Sequence, residues 1–242
     1  GFVMELLVAK SAGFCFGVSR AIDTAYHEIE KNKKIYTYGP LIHNKQVTAD
    51  LKKKGIDVIE SLEGVEEGTI IIRSHGVGKT LYDAIEKKGL KVVDGTCPFV
   101  KRIHNIVEKA FEQKKQIMII GSAVHPEVQG INGWCDNSAV ILEEIEQAED
   151  LTALENKKYT VVVQTTFRKS KFEHMIKILQ KKGLELEVFD TICSATEQRQ
   201  QEAVLISQKV DKMIVIGDKN SSNTQKLVEI CKKNCQKTYY IE

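Results

Sequence analysis

An internal repeat constrains this 242-residue chain more than any other feature. Gly39-x-x-x-His43, Gly121-x-x-x-His125 and Gly217-x-x-x-Ser221 each close a short apolar run, at intervals of 82 and then 96 residues. A cysteine series, Cys15, Cys97 and Cys193, runs ahead of them with the same two intervals. Two independent landmarks sharing both offsets predict three copies of one supersecondary unit. A third landmark occurs twice, as I-I-I-R-Ser74-His75 and V-V-V-Q-Thr165-Thr166, 91 residues apart. Its third copy would fall about 90 residues past Thr165, beyond Glu242, so the third unit is expected to lack its last strand and polar loop.

Within the units, β-branched runs such as G-T-I-I-I-R, L-K-V-V-D, Q-I-M-I-I-G, Y-T-V-V-V-Q, L-E-V-F-D and K-M-I-V-I-G alternate with helix-period segments. Several of those segments end in lysines and a glycine, as helices commonly do. The alternation predicts an α/β chain of three pseudo-repeated units with mostly parallel sheets. The expected boundaries are 15–96, 97–192, and 193–242 together with 1–14. The landmarks all follow predicted strands, at the sheet edge where open α/β folds bind ligands. Three units facing inward would gather them around one central cavity.

Charge and hydropathy exclude some functions. With 35 basic and 33 acidic residues the net charge is +2, which gives no electrostatic case for nucleic acid or an anionic membrane. No apolar run reaches the roughly 20 residues of a membrane span. The opening G-F-V-M-E-L-L-V-A-K lacks the basic start and long apolar stretch of a secretory signal. Six cysteines without dense short spacing do not form a secreted disulfide pattern, so a reducing cytoplasm is the expected compartment.

Cys15, Cys97 and Cys193 each follow an apolar run and precede a helix-like segment, a place where the helix dipole favours thiolate. Arg20 and Arg102 lie five residues behind their cysteines and Arg199 six. A lone cysteine is usually a small buried hydrophobe. Recurrence at one structural place turns these three into ligand candidates, whereas Cys135, Cys231 and Cys235 do not recur and read as structural. Three thiolates are one short of a full iron–sulfur ligand set, so one iron would stay open. A zinc site is disfavoured, since its ligands usually lie close in sequence.

His43, His75 and His125 fall in turn-rich loops, and at repeat-related positions they suggest a polyanion site. His27, His104 and His174 fall inside predicted helices and read as surface or packing residues. Glu127 shares the His125 loop, where neighbouring anions would raise its pKa and suit it to proton donation; singly it would be a solvated loop acid. Ser221, Ser222 and Asn223 offer neutral donors at a helix start, a role compatible with plain capping.

Together, G-F-C-F-G-V-S-R-A, L-I-H-N, R-S-H-G-V, D-G-T-C-P-F-V, H-P-E-V-Q-G, Q-T-T-F, D-T-I-C-S-A-T-E-Q-R-Q and G-D-K-N-S-S-N-T resemble the family of 4-hydroxy-3-methylbut-2-enyl diphosphate reductases. The resemblance spans nearly the whole chain. It implies a trefoil-like α/β fold around a 4Fe-4S cluster held by Cys15, Cys97 and Cys193, labile enough for three-iron or empty forms. The implied substrate is an allylic alcohol diphosphate, reductively dehydroxylated to isopentenyl and dimethylallyl diphosphate. The resemblance further implies that His43, His75, His125, Ser221, Ser222 and Asn223 hold the diphosphate. Thr165 and Glu127 would serve the hydroxyl end, Glu127 delivering a proton. A ferredoxin or flavodoxin is the implied electron donor. The family's further serine, in a glycine- and alanine-rich loop of the third unit, has no counterpart here. That departure keeps open a second class of function, a non-catalytic cluster-binding or sensing protein.

Overall fold

The computed structural model describes residues 4–31, 34–152 and 158–242. The first unit runs α1 (Phe16–Ile29), β1 (Ile35–Tyr38), α2 (Lys45–Lys53), β2 (Ile56–Ile59), β3 (Thr69–Ile72), α3 (Lys79–Lys87) and β4 (Lys91–Asp94). The second runs α4 (Pro98–Glu112), β5 (Gln116–Ile120), α5 (Pro126–Asn132), β6 (Val140–Leu142), α6 (Ile145–Asp150), β7 (Lys158–Val163), α7 (Lys169–Lys181) and β8 (Glu185–Val188). The third contains α8 (Ser194–Ser207), β9 (Met213–Ile216), α9 (Ser222–Asn234) and β10 (Thr238–Ile241).

The two larger sheets have the same order, β2-β1-β3-β4 and β6-β5-β7-β8, and the third has β10-β9, matching β2-β1 and β6-β5. Every described strand pair is parallel. This is why the central strands are apolar along their whole length: T-I-I-I in β3 is buried at every position and I-M-I-I in β5 likewise. Helices cover both faces. Phe172, Met175 and Leu179 of α7 pack on one side of the second sheet, and Ile103 and Val107 of α4 on the other.

The repeated glycine has a specific cause. Arg73 and Gln164 stand at matching ends of β3 and β7, and each lays its side chain across the glycine that ends the neighbouring strand. A Cβ on Gly121 would lie 2.8 Å from the Gln164 Cβ, and one on Gly39 would meet the Arg73 guanidinium. Gly39 also takes a φ of +69°, which a side chain would strain.

One expectation fails. The L-L-V-A run before Cys15 forms no strand: residues 4–9 are irregular, with Met4, Leu6 and Val8 exposed. No described strand runs beside it, and a lone strand cannot satisfy its backbone groups. The segment is instead tied to α8. The amides of Lys10 and Ser11 donate to the Glu202 carboxylate at 2.7 and 2.9 Å, and Arg199 donates to the Gly13 carbonyl at 2.7 Å.

Candidate functional site

Cys15, Cys97 and Cys193 occupy the N-caps of α1, α4 and α8, the longest described helix of each unit. All three are half-buried and unbridged. A Cβ on Gly17, in the first turn of α1, would come 2.5 Å from the Cys97 sulfur, so α1 meets α4 at this point. The Cys97 thiol feels the other two: its pKa is raised first by burial and further by Cys15 and Cys193, while the amides of Phe99 and Val100 pull it down. The expected thiolate bias is therefore corrected for Cys97, where burial outweighs the helix end. Three soft donors within one another's field, on three separate helices, fit an iron–sulfur cluster with one iron unligated by protein. Cys135, Cys231 and Cys235 are buried elsewhere in the hydrophobic interior.

The cysteines are tied to the polar loops by a repeated backbone bond. The Cys97 amide donates to the Ser74 carbonyl at 3.0 Å, and the Cys193 amide to the Thr165 carbonyl at 3.1 Å. Movement of Cys97 or Cys193 is thus coupled to the loop carrying His75 or Thr165.

His43, His75 and His125 converge from three loops, with ring centroids 4.4, 5.6 and 5.7 Å apart. His125 caps α5, its Nδ1 accepting from the Glu127 amide at 3.2 Å, so its proton sits on Nε2. His43 Nε2 and His75 Nδ1 are buried and have no protein partner among the described residues. Burial, mutual repulsion and the Arg73 charge hold His75 well below its ordinary pKa, and burial first, then His43 and Arg73, brings His125 to about 4. His43 is lowered by burial and Arg73 against the pull of Asp218. The histidines are neutral near pH 7 and Arg73 supplies the fixed positive charge. An anion bound here would raise the histidine pKa values, so binding takes up protons and strengthens as pH falls. Calorimetry of inorganic diphosphate in two buffers of different ionisation enthalpy is expected to show that uptake, at His43 and His75; a buffer-independent heat would contradict it.

Glu127, 2% exposed, is locked on Thr165: its two oxygens lie 2.6 Å from the Thr165 amide and 2.7 Å from the Thr165 hydroxyl. Burial lifts its pKa to about 7 although both Thr165 groups oppose the shift. It is therefore a carboxyl able to hold and give up a proton at neutral pH. Ser221 caps α9, accepting from the Thr224 amide at 3.3 Å; Ser222 stands 3.5 Å from the Gln164 side-chain amide nitrogen, and the Asn223 side-chain Oδ1 is buried without a partner among the described residues. A cleft of about 380 Å³ is lined by His43, His125, Gln164 and Ser222, together with Lys171 and Lys226.

Arg73 and Gln164 are the two site residues that the sequence reading passed over. Gln164 accepts from the Ser122 amide at 3.0 Å and donates to the Thr166 hydroxyl at 3.1 Å, joining both polar loops of the second unit. Both residues stand immediately before the third landmark, at corresponding positions of the repeat, which is the signal that marks them.

A protein of this kind, in which parallel α/β units present three cysteines beside a histidine cluster and a buried acid, belongs to the class of iron–sulfur oxidoreductases. Residues 6–242 match the family described as LytB protein, and the chain belongs to that family. It is 52% identical over 244 residues to the 4-hydroxy-3-methylbut-2-enyl diphosphate reductase of Thermoanaerobacter sp. strain X514, covering 99% of this chain and 84% of that one. The Clostridioides difficile strain 630 enzyme of the same name is 47% identical, with 94% and 82% covered. Among solved structures, the Plasmodium falciparum diphosphate reductase superposes with a TM-score of 0.90 at 32% identity, covering 95% of this chain and 74% of that one. A second reductase structure, titled as the terminal enzyme of the non-mevalonate pathway, superposes at 0.74 with 37% identity, covering 98% and 85%. The three-unit, trefoil-like arrangement is that of these structures.

Proposed function

We propose that this chain reductively dehydroxylates 4-hydroxy-3-methylbut-2-enyl diphosphate to isopentenyl and dimethylallyl diphosphate. The carbon–oxygen bond breaks, two electrons and two protons enter, and water leaves. The observation carrying this reading is the Glu127–Thr165 pair, a buried acid held between the histidine cluster and the Cys193 amide.

His43, His75 and His125, with Ser221, Ser222 and Asn223, bind the diphosphate, and Arg73 supplies long-range attraction. Anchoring that remote group orients the allylic alcohol, so binding energy serves the reacting end. Glu127, oriented by Thr165, delivers the proton with which the oxygen departs. When bound at Cys15, Cys97 and Cys193, a 4Fe-4S cluster would supply the electrons and a Lewis-acidic iron. A small acidic redox protein of the ferredoxin or flavodoxin type is the electron source in this proposal, and a reducing cytoplasm its compartment; no described helix is long and apolar enough to cross a membrane. The units are taken as 15–96, 97–192 and 193–242 with 1–14, a division supported by the three sheets and the anchoring of residues 10–13 on α8.

Anaerobic purification is expected to give a brown protein with about four irons per chain. With an artificial one-electron donor it should convert the allylic alcohol diphosphate to both products. A colourless protein that resists reconstitution, or a loaded one without turnover, would refute the proposal.

A further inference from the structure

We infer that Trp134, Gly130 and Gly133 are positioning residues that clamp the His75 loop onto α5. The inference deepens the reading of the histidine cluster as a diphosphate site and rests on it.

Residues 73–78 connect β3 to α3 in the first unit, and residues 76–78 lie on the second unit backbone to backbone. A Cβ on Gly130 would sit 3.3 Å from the Gly76 carbonyl and the Val77 Cα. One on Gly133 would come within 2.6 Å of the Gly78 Cα, a separation that real side chains essentially never show. The same α5 starts at His125 and carries Glu127, so this glycine contact sets how far His75 stands from both. Trp134, the next residue, fixes the contact laterally: its indole N–H donates to the Val77 carbonyl at 2.9 Å. The indole in turn stacks on His104 of α4, centroids 5.0 Å apart and planes 20° from parallel. His104 backs Gly76, whose φ of +71° turns the loop, and a Cβ there would lie 2.5 Å from the His104 ring. The loop thus has α5 behind it and α4, which starts at Cys97, beside it. None of Gly130, Gly133, Trp134 and His104 lines the cleft. Their part is to hold imidazoles in register, where a misplacement of about 1 Å costs up to roughly 100-fold.

The experiment uses cluster-loaded protein and three variants: Trp134→Phe, which keeps the stacked ring but removes the donor, Gly133→Ala, and Gly78→Ala. A Cβ at Gly78 would be 3.1 Å from the Gly133 Cα, tight but less so than the 2.6 Å of the converse pair, so this variant grades the same contact. Calorimetry is expected to show inorganic diphosphate binding weakened about threefold by Trp134→Phe and at least about tenfold by Gly133→Ala, with Gly78→Ala weakened less than Gly133→Ala. Iron content and visible spectrum should be unchanged, and KM should rise more than kcat falls. Wild-type diphosphate affinity and KM in folded Trp134→Phe would overturn the inference even if its Tm drops, because a merely structural role moves only Tm. Should Gly133→Ala not fold, Trp134→Phe decides alone. If the wild-type protein itself binds no diphosphate, the site reading falls and the clamp falls with it.

Discussion

Replacing Cys97 with alanine is expected to yield a folded but colourless protein with turnover at background. The fold should survive because the bonds that place residue 97 are main-chain ones: its amide donates to the Ser74 carbonyl and its carbonyl accepts from the Lys101 amide. Both remain in an alanine variant. The side chain contributes a half-buried thiol that burial and two neighbouring thiols keep protonated in the metal-free protein. Iron must therefore displace a proton that Cys97 resists losing. Two thiols on α1 and α8 alone cannot hold a cluster that already lacks a fourth protein ligand. The same loss is expected for Cys15→Ala and Cys193→Ala, whereas Cys235→Ala should leave the colour unchanged. Iron quantitation and visible absorbance under anaerobic conditions check this, with a Tm within a few degrees of wild type confirming the fold. A brown, active Cys97→Ala protein would remove the thiol triad from the site.

The repeat was legible in the sequence because it records a steric constraint. Gly39 and Gly121 recur where Arg73 and Gln164 must cross the backbone, and the cysteines recur where an amide reaches the carbonyl of Ser74 or Thr165. Such local constraints leave fixed residue types at fixed spacing. The protonation of the site was not legible in the same way. Each histidine alone reads as a group that charges near pH 7, and Cys97 reads as a thiolate at a helix end. Burial and mutual repulsion reverse both, and these exist only once three loops and three helices converge. The L-L-V-A run shows the opposite failure. Its composition suits a strand, but strand formation needs a neighbour, and none is described beside residues 4–9. His104, read as a surface or packing residue, is a packing residue: it is buried and stacks on the Trp134 ring behind the His75 loop.

Glu127→Gln is expected to keep cluster colour and diphosphate affinity while lowering kcat by roughly 10²–10⁴-fold. Glutamine preserves shape and one acceptor, so the Thr165 amide at 2.6 Å and hydroxyl at 2.7 Å keep a partner and the α5 backbone stays in place. What disappears is the exchangeable proton. In the wild type, burial raises the carboxyl to about 7, above its ordinary value of 4.5. The acid form is therefore populated below about pH 7 and lost above it, so kcat should fall as pH rises through that value. The residual rate of the glutamine variant should lack this limb, because the amide does not titrate. Diphosphate binding also weakens at high pH, but through the histidines; the first effect appears in kcat and the second in KM. Stability gives a third reading of the same carboxyl. Its folded pKa lies above the unfolded one, so its contribution is present below pH 4.5 and is lost as pH rises through about 7. Glu127→Gln should flatten that part of the Tm profile. Near-normal kcat in the glutamine variant, or an unchanged alkaline limb, would take proton delivery away from Glu127.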